Sequence, residues 1–304
     1  MKITRYWVIC AGALACEAAQ GTASDEAAAD TDEVCEVGER EDGACGADDL
    51  AAQPIHDGHC GNHPTSIEVA AMESEFNARM AVAAHHPGAR ATIPVYFHVI
   101  SDDAGSGDIT ETQITQQLAV LNTAFTGTGF DFSRAGVTRT RKSAWHLMAM
   151  DSAAESEAKS ALRQGGARTL NVYVVNAVSV LGWATFPWWY AGDPQSDGIV
   201  VDRATFPGGH ATGFNSGKTA IHEVGHWLGL YHTFQNGCSF LGDFVGDTPA
   251  EQSPATGCPV SRDSCKASGS DPIRNYMDYT NDSCRDQFTA GQRSRMSWNY
   301  SLFR

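Results

Sequence analysis

The chain has 304 residues and a formal net charge of −15 at pH 7, with 36 Asp and Glu residues against 21 Lys and Arg residues. This acidic excess argues against nucleic-acid binding, which needs a basic surface. No run reaches the roughly 18 apolar residues of a membrane-spanning helix. The length could hold two domains, but the composition favours a leader followed by one folded domain.

The first twenty residues have the organisation of a secretory signal peptide. Lys2 and Arg5 precede an apolar run over residues 6–15, and small residues follow. We therefore expect residues 1–20 to direct export, so that the protein is secreted. Residues 13–16, Ala-Leu-Ala-Cys, loosely resemble a lipoprotein cleavage site. A lipid anchor at Cys16 on the cell surface is the alternative to ordinary secretion.

Residues 21–58 form an acidic tract that is too polar to bury a core. Between residues 17 and 60 there are 13 Asp or Glu residues against the single basic residue Arg40. Such a composition predicts disorder. A solvated linker is the simpler interpretation of the tract, and metal buffering or keeping the protein away from a surface is the alternative.

The nine cysteines divide by their position along the chain. Cys10 and Cys16 belong to the leader, which leaves seven in a compartment where disulfides form and one thiol without a partner. Cys35 and Cys45 could close a small loop in the acidic tract. Cys60 is then the unpaired thiol, and two bridges are expected among the four late cysteines, Cys238, Cys258, Cys265 and Cys284.

The sequence from residue 66 onwards alternates between helical and extended patterns, which predicts an α/β domain. A short helix over 66–84 ends at a His-His-Pro-Gly break, where the folded domain over 90–304 begins. The first elements expected after the break are a buried strand over 92–100 and a helix that follows a capping box at Thr110. The apolar face of this helix carries Ile114, Leu118, Leu121 and Phe125. One or two strands within 130–150, a helix over 155–164, and strands over 170–175 and 198–202 are expected to follow.

Two groups of side chains in this region have ordinary structural interpretations. Three histidines lie outside any ligand spacing, so we expect them to be hydrogen-bonded parts of the fold: His98, His146 and His210. An aromatic cluster is more typical of a packed loop, although it could also rim a substrate cleft. Its members are Trp183, Phe186, Trp188, Trp189 and Tyr190.

The stretch over residues 222–232, His-Glu-Val-Gly-His-Trp-Leu-Gly-Leu-Tyr-His, has the spacing of a catalytic zinc site. Residues four apart share one side of a helix, so His222 and His226 can both face one ion. Gly229 permits a left-handed helix stop that turns the chain back, and His232 can then supply a third ligand. Three imidazoles leave one position open for water, and Glu223 can reach that water without being a ligand.

Chance occurrence is the alternative explanation for these histidines. Ile221, Val224 and Leu228 recur at helical spacing, so the stretch could be an ordinary amphipathic helix that happens to carry histidines. A bare HExxH pattern would leave that alternative open. The added glycine and third histidine at fixed offsets make coincidence improbable, and the pattern belongs to a set of metalloprotease motifs.

The zinc motif gives Cys60 a possible role in the prosegment, residues 59–89. Thiolate binds zinc strongly, so Cys60 could occupy the open metal position and displace water until the prosegment is cut. A disulfide partner or an incidental exposed thiol is the alternative. The sequence therefore predicts a latent form, with Cys60 as its zinc ligand.

The chain after His232 is rich in Gly, Asp, Pro and Cys and shows little periodicity up to residue 286. A stretch of this kind needs disulfides to hold it. Residues 242–249 place carboxylates and carbonyls in one tight loop, which could bind calcium through oxygen ligands, although a solvated acidic turn explains it equally well. A helix is expected over residues 289–300.

These motifs resemble those of the metzincin zinc peptidases, and most closely the pappalysins, including the compact ulilysin-like and fungal extracellular members. Matrixins and astacins share the zinc motif but differ after the third histidine and around the Met-turn. The resemblance covers about residues 90–304, with Cys60-Gly61 similar to the prosegment switch. Beyond residues 222–234, the matches are Cys238, Asp243, Asp247-Thr248-Pro249, the Met-turn Asn275-Tyr276-Met277-Asp278-Tyr279, Phe288-Thr289 and Gly291-Gln292.

The resemblance implies a catalytic domain of two subdomains separated by a cleft. A twisted mixed sheet with helices would form the upper subdomain, and an irregular, disulfide-linked lower subdomain would carry Met277 as a hydrophobic floor beneath the zinc. It also implies the crossed bridges Cys238–Cys265 and Cys258–Cys284, one of three possible pairings. Calcium in the lower subdomain is carried over to Asp243, Asp247 and Thr248. The acidic tract has no counterpart in the family pattern.

The function expected from motif and resemblance together is that of a zinc-dependent endopeptidase acting on proteins or peptides. Glu223 would serve as general base and then general acid. Tyr279 would donate a hydrogen bond to the oxyanion. Two alternatives remain: a zinc hydrolase of non-peptide amides or esters, and a surface binding module with a vestigial metal site. The intact Glu223 argues against the second, because binding alone does not need that carboxylate.

Overall fold

The computed structural model describes residues 58–83, 90–266 and 269–304. Several predicted features lie outside the described residues: the signal peptide, the lipid anchor at Cys16, the Cys35–Cys45 loop, nearly all of the acidic tract and the break over 85–88. Within the described part, no helix has the length and apolar character that crossing a membrane requires.

A five-stranded mixed sheet forms the centre of the fold, in the order β2-β1-β3-β5-β4. The first four strands in this order pair in parallel, and β4 pairs antiparallel with β5 at one edge. The predicted α/β class with a mixed sheet is therefore confirmed. The strands are β1 (Ala91–Ser101), β2 (Phe130–Arg141), β3 (Leu170–Val175), β4 (Gly182–Ala184) and β5 (Ile199–Asp202).

Six α-helices surround this sheet within the described residues. Threonines at residues 65, 110 and 289 form capping boxes at the starts of α1, α2 and α6, where each hydroxyl accepts from a backbone N–H that the helix leaves unpaired. The helices are α1 (Ser66–Val82), α2 (Glu111–Ala124), α3 (Ser143–His146), α4 (Ala153–Leu162), α5 (Lys218–Trp227) and α6 (Ala290–Phe303).

Apolar side chains cover both faces of the sheet, so the domain has three layers. One face packs against α2 and α5, which contribute Ile114, Ile221 and Val224 to the larger core cluster. The other face packs against α3 and α4 through Trp145 and Ala158. Full burial of one such aliphatic side chain stabilises the fold by about 1.5–3 kcal/mol. The helix with the zinc motif is thus fixed against a rigid sheet.

The structure decides one open alternative and differs from the sequence-based expectation in one segment. Of the one or two strands expected within residues 130–150, the structure has one, because the chain turns at Lys142 into α3 and then buries Met148. The three-residue strand β4 lies within the aromatic-rich stretch that we expected to be a loop. Most of the aromatic cluster is packed: Trp183, Phe186 and Trp188 are buried, whereas Trp189 is 38% exposed.

The isolated histidines have the structural roles expected of them in two of three cases. His98 is hydrogen-bonded to Thr138 at 2.8 Å and to Asn171 at 2.9 Å. His146 Nδ1 lies 2.8 Å from the carbonyl oxygen of Ile100. His210 is exposed.

Two disulfides join the irregular region between α5 and α6. They are Cys238–Cys265 and Cys258–Cys284, the pairing that the family resemblance implies. Cys60 is a free, buried thiol, so both alternative interpretations of this residue, a disulfide partner and an exposed thiol, are wrong. The bridges hold a segment in which the described residues form no helix or strand of their own.

Candidate metal centre

The end of α5 and the turn after it bring three imidazoles together. Gly229 has φ +87°, in the left-handed region, and a Cβ at this position would collide with Asn299. The backbone N–H groups of Gly229 and Leu230 donate to the carbonyls of His226 and Gly225, at 2.8 and 2.9 Å, and close the helix end. The predicted left-handed stop is confirmed, and it returns the chain so that His232 faces α5.

The three Nε2 atoms form an equilateral triangle. The His222–His226, His226–His232 and His232–His222 distances are each 3.1 Å. All three side chains are at most 2% exposed. This spacing suits nitrogen ligands that each lie about 2.0–2.1 Å from a single ion.

Hydrogen bonds on the far side of two rings fix which nitrogen carries the proton. His222 Nδ1 lies 2.7 Å from the Tyr276 carbonyl oxygen, and His226 Nδ1 lies 2.7 Å from that of Leu230. A carbonyl can only accept, so each Nδ1 is the donor, and each Nε2 presents a lone pair to the centre of the triangle. Facing lone pairs repel unless a cation lies between them. The donor set therefore fits a zinc ion.

Burial keeps these imidazoles neutral, as metal ligands must be. It lowers the pKa of His222 well below its ordinary value, and the neighbouring His226 adds to this effect. Burial also lowers the pKa of His226 to about 3. Neutral histidines are ready to bind a cation without first losing a proton.

Glu223 is buried beside the triangle. It is 0% exposed, and no hydrogen-bond partner for its Oε1 is found among the described residues. Burial raises the pKa of Glu223 to about 8, while the Cys60 thiol and the positive charge of Arg285 oppose the rise. A Cβ at Gly182 of β4 would lie 3.0 Å from Glu223 Cγ, so only glycine leaves this carboxylate its space.

The predicted Met-turn lies beneath α5. Met277 is fully buried, and a Cβ on Gly225 would collide with its sulfur, so helix and turn are in close contact. Two residues later, the Tyr279 hydroxyl lies 3.2 Å from His232 Nε2 and 3.5 Å from the carbonyl oxygen of Cys60. The structure thus places Tyr279 at the edge of the imidazole triangle.

Cys60, from the segment before α1, reaches the same point. Its Sγ and the three histidine nitrogens all lie within 4.8 Å of one another, and this is the only such group of metal-binding side chains in the described ranges. The sulfur also lies 3.7 Å from Glu223 Oε2. Burial, together with the negative charge of Glu223, raises the pKa of the Cys60 thiol well above its ordinary value. A cation in the triangle would favour the thiolate.

The segment around Cys60 is held as an additional strand along β4. Gly61 N donates to Gly182 O at 2.9 Å, and Leu181 N donates to His59 O at 3.0 Å. The Asn62 side chain continues the pairing, because its amide donates to Ala184 O and accepts from Ala184 N, both at 2.7 Å. The bridge between Cys60 and Gly182 is parallel.

Helix α1 fastens this segment to the rest of the domain. Its Glu73 forms a buried ion pair with Arg295 of α6 and accepts from the Tyr231 hydroxyl at 3.0 Å. Arg79 donates to the Leu302 carbonyl at 2.7 Å. One face of α1 joins an aromatic cluster with α6, in which Val69, Met72 and Phe76 contact Tyr231 and Phe303.

The loop expected to bind calcium separates its carboxylates. Asp247 accepts from Thr289 Oγ1 at 2.7 Å and from Gly291 N at 2.8 Å, so its side chain lies at the start of α6. Asp243 is 2% exposed, and burial raises its pKa to about 7. Asp243 Oδ2 and Thr248 Oγ1 are buried without a hydrogen bond of normal geometry among the described residues, although the Thr248 hydroxyl lies near enough to Asp243 to oppose the rise in its pKa.

Three residues at the site were not expected from the sequence. Gly182 was missed because a strand of three residues leaves no periodic pattern in the sequence. Asn62 was missed because its side chain, rather than its backbone, pairs with β4. Arg285 also lies in the site, although it belongs to the aperiodic, cysteine-rich segment. For Gly182, the available signal is a glycine next to a large aromatic residue in an otherwise packed stretch.

Comparison with known proteins places this geometry in context. The peptidase family M43, described as pregnancy-associated plasma protein-A, matches residues 164–300. An extracellular metalloprotease from Sordaria macrospora is 41% identical over 273 residues, which are 86% of this chain and 88% of that protein. The match extends well upstream of α5.

Solved structures share the fold. A promirolysin mutant from Tannerella forsythia superposes with a TM-score of 0.69 and 27% identity, covering 81% of this chain and 95% of that one. Mature mirolysin from Tannerella forsythia, in complex with a cleaved peptide, gives a TM-score of 0.58 and 31% identity over 68% of this chain and 90% of that one. The pro form covers more of this chain than the mature form does.

Proposed function

The chain belongs to the pappalysin family of metzincin metallopeptidases and is a metalloendopeptidase, and we propose that it is exported as a latent zymogen whose active form cuts proteins at the imidazole triangle. The observation that carries the proposal is the set of three Nε2 atoms 3.1 Å apart, with a buried carboxylate beside them. His222, His226 and His232 would hold the metal.

Zinc is the cofactor that three neutral imidazoles favour. When bound, it would polarise the scissile carbonyl and lower the pKa of water toward 7. The protein's own contribution is to keep three lone pairs aimed at one point. The Tyr276 and Leu230 carbonyls do this for His222 and His226, because they lock the ring orientation and the tautomer.

Glu223 is the group that moves protons. Its carboxylate accepts a proton from the attacking water and then donates it to the departing amine nitrogen. The Tyr279 hydroxyl, which lies 3.2 Å from His232 Nε2, would donate a hydrogen bond to the oxygen of the tetrahedral species.

Latency is assigned to residues 59–89, ahead of a catalytic domain over 90–304. Cys60 would be the fourth ligand in the latent form, and the pairing along β4 would keep substrate out of the cleft. Export is supported by the leader at residues 1–20 and by relatives that are named extracellular metalloproteases. A solved relative in complex with a cleaved peptide supports peptides as substrates.

Metal removal tests the cofactor. We expect 1,10-phenanthroline to abolish hydrolysis of a protein substrate by the activated protein, and an equivalent of zinc to restore it, because the open metal position is needed in each turnover. The non-chelating isomer 1,7-phenanthroline is the matched control. If the protein still hydrolyses substrate when elemental analysis shows that it contains no metal, the zinc mechanism is wrong.

We further propose that Asp243 and Thr248 help to bind calcium in the loop before α6. Their buried oxygens, which lack a hydrogen bond of normal geometry within the described residues, support this, since each unpaired group costs stability until a cation or donor reaches it. We expect millimolar calcium to raise the melting temperature relative to a chelator of calcium, with about 2.7 kcal/mol gained at a hundredfold excess over the dissociation constant.

Two variants separate this calcium site from the role of Asp247 at α6. Asp243→Asn should lose the calcium-dependent rise in melting temperature. Asp247→Asn should melt earlier under all conditions, because it weakens the start of α6, but it should keep the calcium-dependent rise. If calcium does not change the melting temperature of the wild-type protein, this proposal is wrong.

A further inference from the structure

Helix α1 packs on a surface that three separate parts of the folded domain build. Val69, Met72 and Phe76 lie on one side of α1, at helical spacing, and are at most 7% exposed. They form one cluster with aromatic side chains from residues 186–188, from the turn after α5 and from α6. We call this surface the α1 face, and its aromatic members are Phe186, Trp188, Tyr231 and Phe303.

The α1 face reaches two of the imidazole ligands. The Phe186 ring is edge-on to the His226 ring, with 5.4 Å between the centroids. Tyr231 directly precedes the third ligand, His232. On the other side of Tyr231, the carbonyl of Leu230 accepts the hydrogen bond from His226 Nδ1 at 2.7 Å. Two of the three ligands are thus held by groups that belong to the α1 face or are adjacent to it in the chain.

Glu73 is the polar centre of this contact. Its carboxylate accepts from the Tyr231 hydroxyl at 3.0 Å and forms an ion pair with Arg295, and all three side chains are buried. Arg295 Nε also donates to the Gly229 carbonyl at 3.1 Å, in the turn that ends α5. Asp243 adds a second negative charge near this guanidinium, but within the described residues the N–H donors bond to Glu73 and to the Gly229 carbonyl. Glu73 therefore supplies the carboxylate that a buried guanidinium needs.

The sequence of α1 also contains its own helix start and a second anchor. The Thr65 capping box is completed by Glu68 of the same helix. Near the other end, Arg79 donates to the Leu302 carbonyl at 2.7 Å, and its guanidinium lies 4.3 Å from the centroid of the Phe303 ring. An isolated helix of this length is only marginally stable in water, so contact with the α1 face would complete its folding.

We propose that the α1 face remains a binding site after activation, that it binds the cleaved α1 helix in trans, and that the bound helix strengthens the binding of zinc. The ligand is residues 64–83 of this chain, which do not include Cys60, so the thiol contributes nothing to this interaction. Helix and zinc favour the same arrangement of the turn after α5, so each strengthens the binding of the other. The helix stays bound where the processed protein is concentrated and leaves on dilution. The inference rests on the proposed removal of the prosegment and adds a role for the removed part.

The test measures binding of a peptide to the processed protein. The full chain is cut by limited trypsin treatment, for which Arg90 is an exposed site just before β1. The trypsin is inactivated, and the released segments are removed by gel filtration at low protein concentration. A fluorescein-labelled peptide of residues 64–83 is then titrated with this protein, and fluorescence anisotropy reports binding. We expect saturable binding that is about fivefold tighter with zinc than after zinc removal, and a zinc affinity that rises by the same factor when the peptide is saturating.

Two peptide variants locate the interaction. Glu73→Gln should weaken binding by at least about tenfold, because the buried guanidinium of Arg295 loses its charged partner. Glu75→Gln is the matched control, since Glu75 is partly exposed and pairs with Arg79 of the same helix. It should bind within about twofold of the unchanged peptide. Circular dichroism of the free peptides shows whether the two changes affect helix content equally.

The outcomes separate this inference from the proposed endopeptidase function. If binding is not saturable, or if Glu73→Gln binds as tightly as Glu75→Gln, the α1 face is not the binding site. Equal peptide affinity with and without zinc would overturn the link to the metal centre. Hydrolysis of a fluorogenic substrate by the same processed protein, without the peptide, tests the endopeptidase proposal. Hydrolysis without peptide binding would therefore overturn this inference alone.

Discussion

Replacing Glu223 with Ala is expected to reduce kcat/KM for peptide hydrolysis by about 10²–10⁴-fold while zinc binding is retained. Glu223 is not among the three imidazole ligands, so its loss leaves the metal donors and their hydrogen-bonded carbonyls intact. Without the carboxylate, the attacking water loses the group that accepts its proton. Steady-state kinetics of the activated protein and zinc content by elemental analysis give the two readouts.

An exposed glutamate provides the matched control for this variant. Glu111→Ala, at the start of α2, should keep full activity, because Glu111 lies on the surface in ion pairs with Arg134 and Arg139. Near-normal activity in Glu223→Ala would assign proton transfer to another group. Loss of zinc together with activity would show instead that Glu223 maintains the metal site.

The second large effect is expected from Cys60→Ala in the full-length chain. Wild-type full-length protein should be inactive, because the tethered thiol faces the metal centre at a high effective concentration. Removing the thiol should raise activity by at least about tenfold without proteolytic processing. Hydrolysis of a short fluorogenic peptide, with gel electrophoresis to exclude processing, measures the change.

The strand-like pairing of the prosegment allows a graded version of this experiment. Cys60→Ala alone leaves the Asn62 amide bonded to Ala184 of β4, so part of the obstruction remains. Adding Asn62→Ala should raise activity further, whereas Asn62→Ala alone should leave the thiol in place and the protein largely latent. Equal activity in wild-type and Cys60→Ala full-length protein would exclude the thiol as the cause of latency.

Local sequence patterns predicted the centre of the molecule well. The positions of His222, His226 and His232 follow from helical spacing and from a glycine that ends the helix, so the relevant interactions lie within about one turn. The same holds for the capping box at Thr110, which begins α2. These features depend on residues that are close along the chain, so they can be predicted without knowing the fold.

Features that depend on distant contacts were not predictable in this way. β4 has three residues and is a strand only because β5 lies beside it. Arg285 lies in the site because the disulfide-linked segment folds back against the start of α5, where Lys218 donates to the carbonyls of Asp282 and Arg285. The calcium loop was predicted as one cluster, but the structure directs Asp247 to α6, since the N-terminal N–H groups of that helix attract a carboxylate.

The ion pair between Glu73 and Arg295 would link the proposed activation to the stability of the active form. If activation removes α1, the guanidinium of Arg295 and the hydroxyl of Tyr231 lose their carboxylate partner, and the aromatic surface beneath α1 meets water. The liberated enzyme should therefore survive for a shorter time than its precursor. The cut that activates the enzyme would therefore also shorten its lifetime.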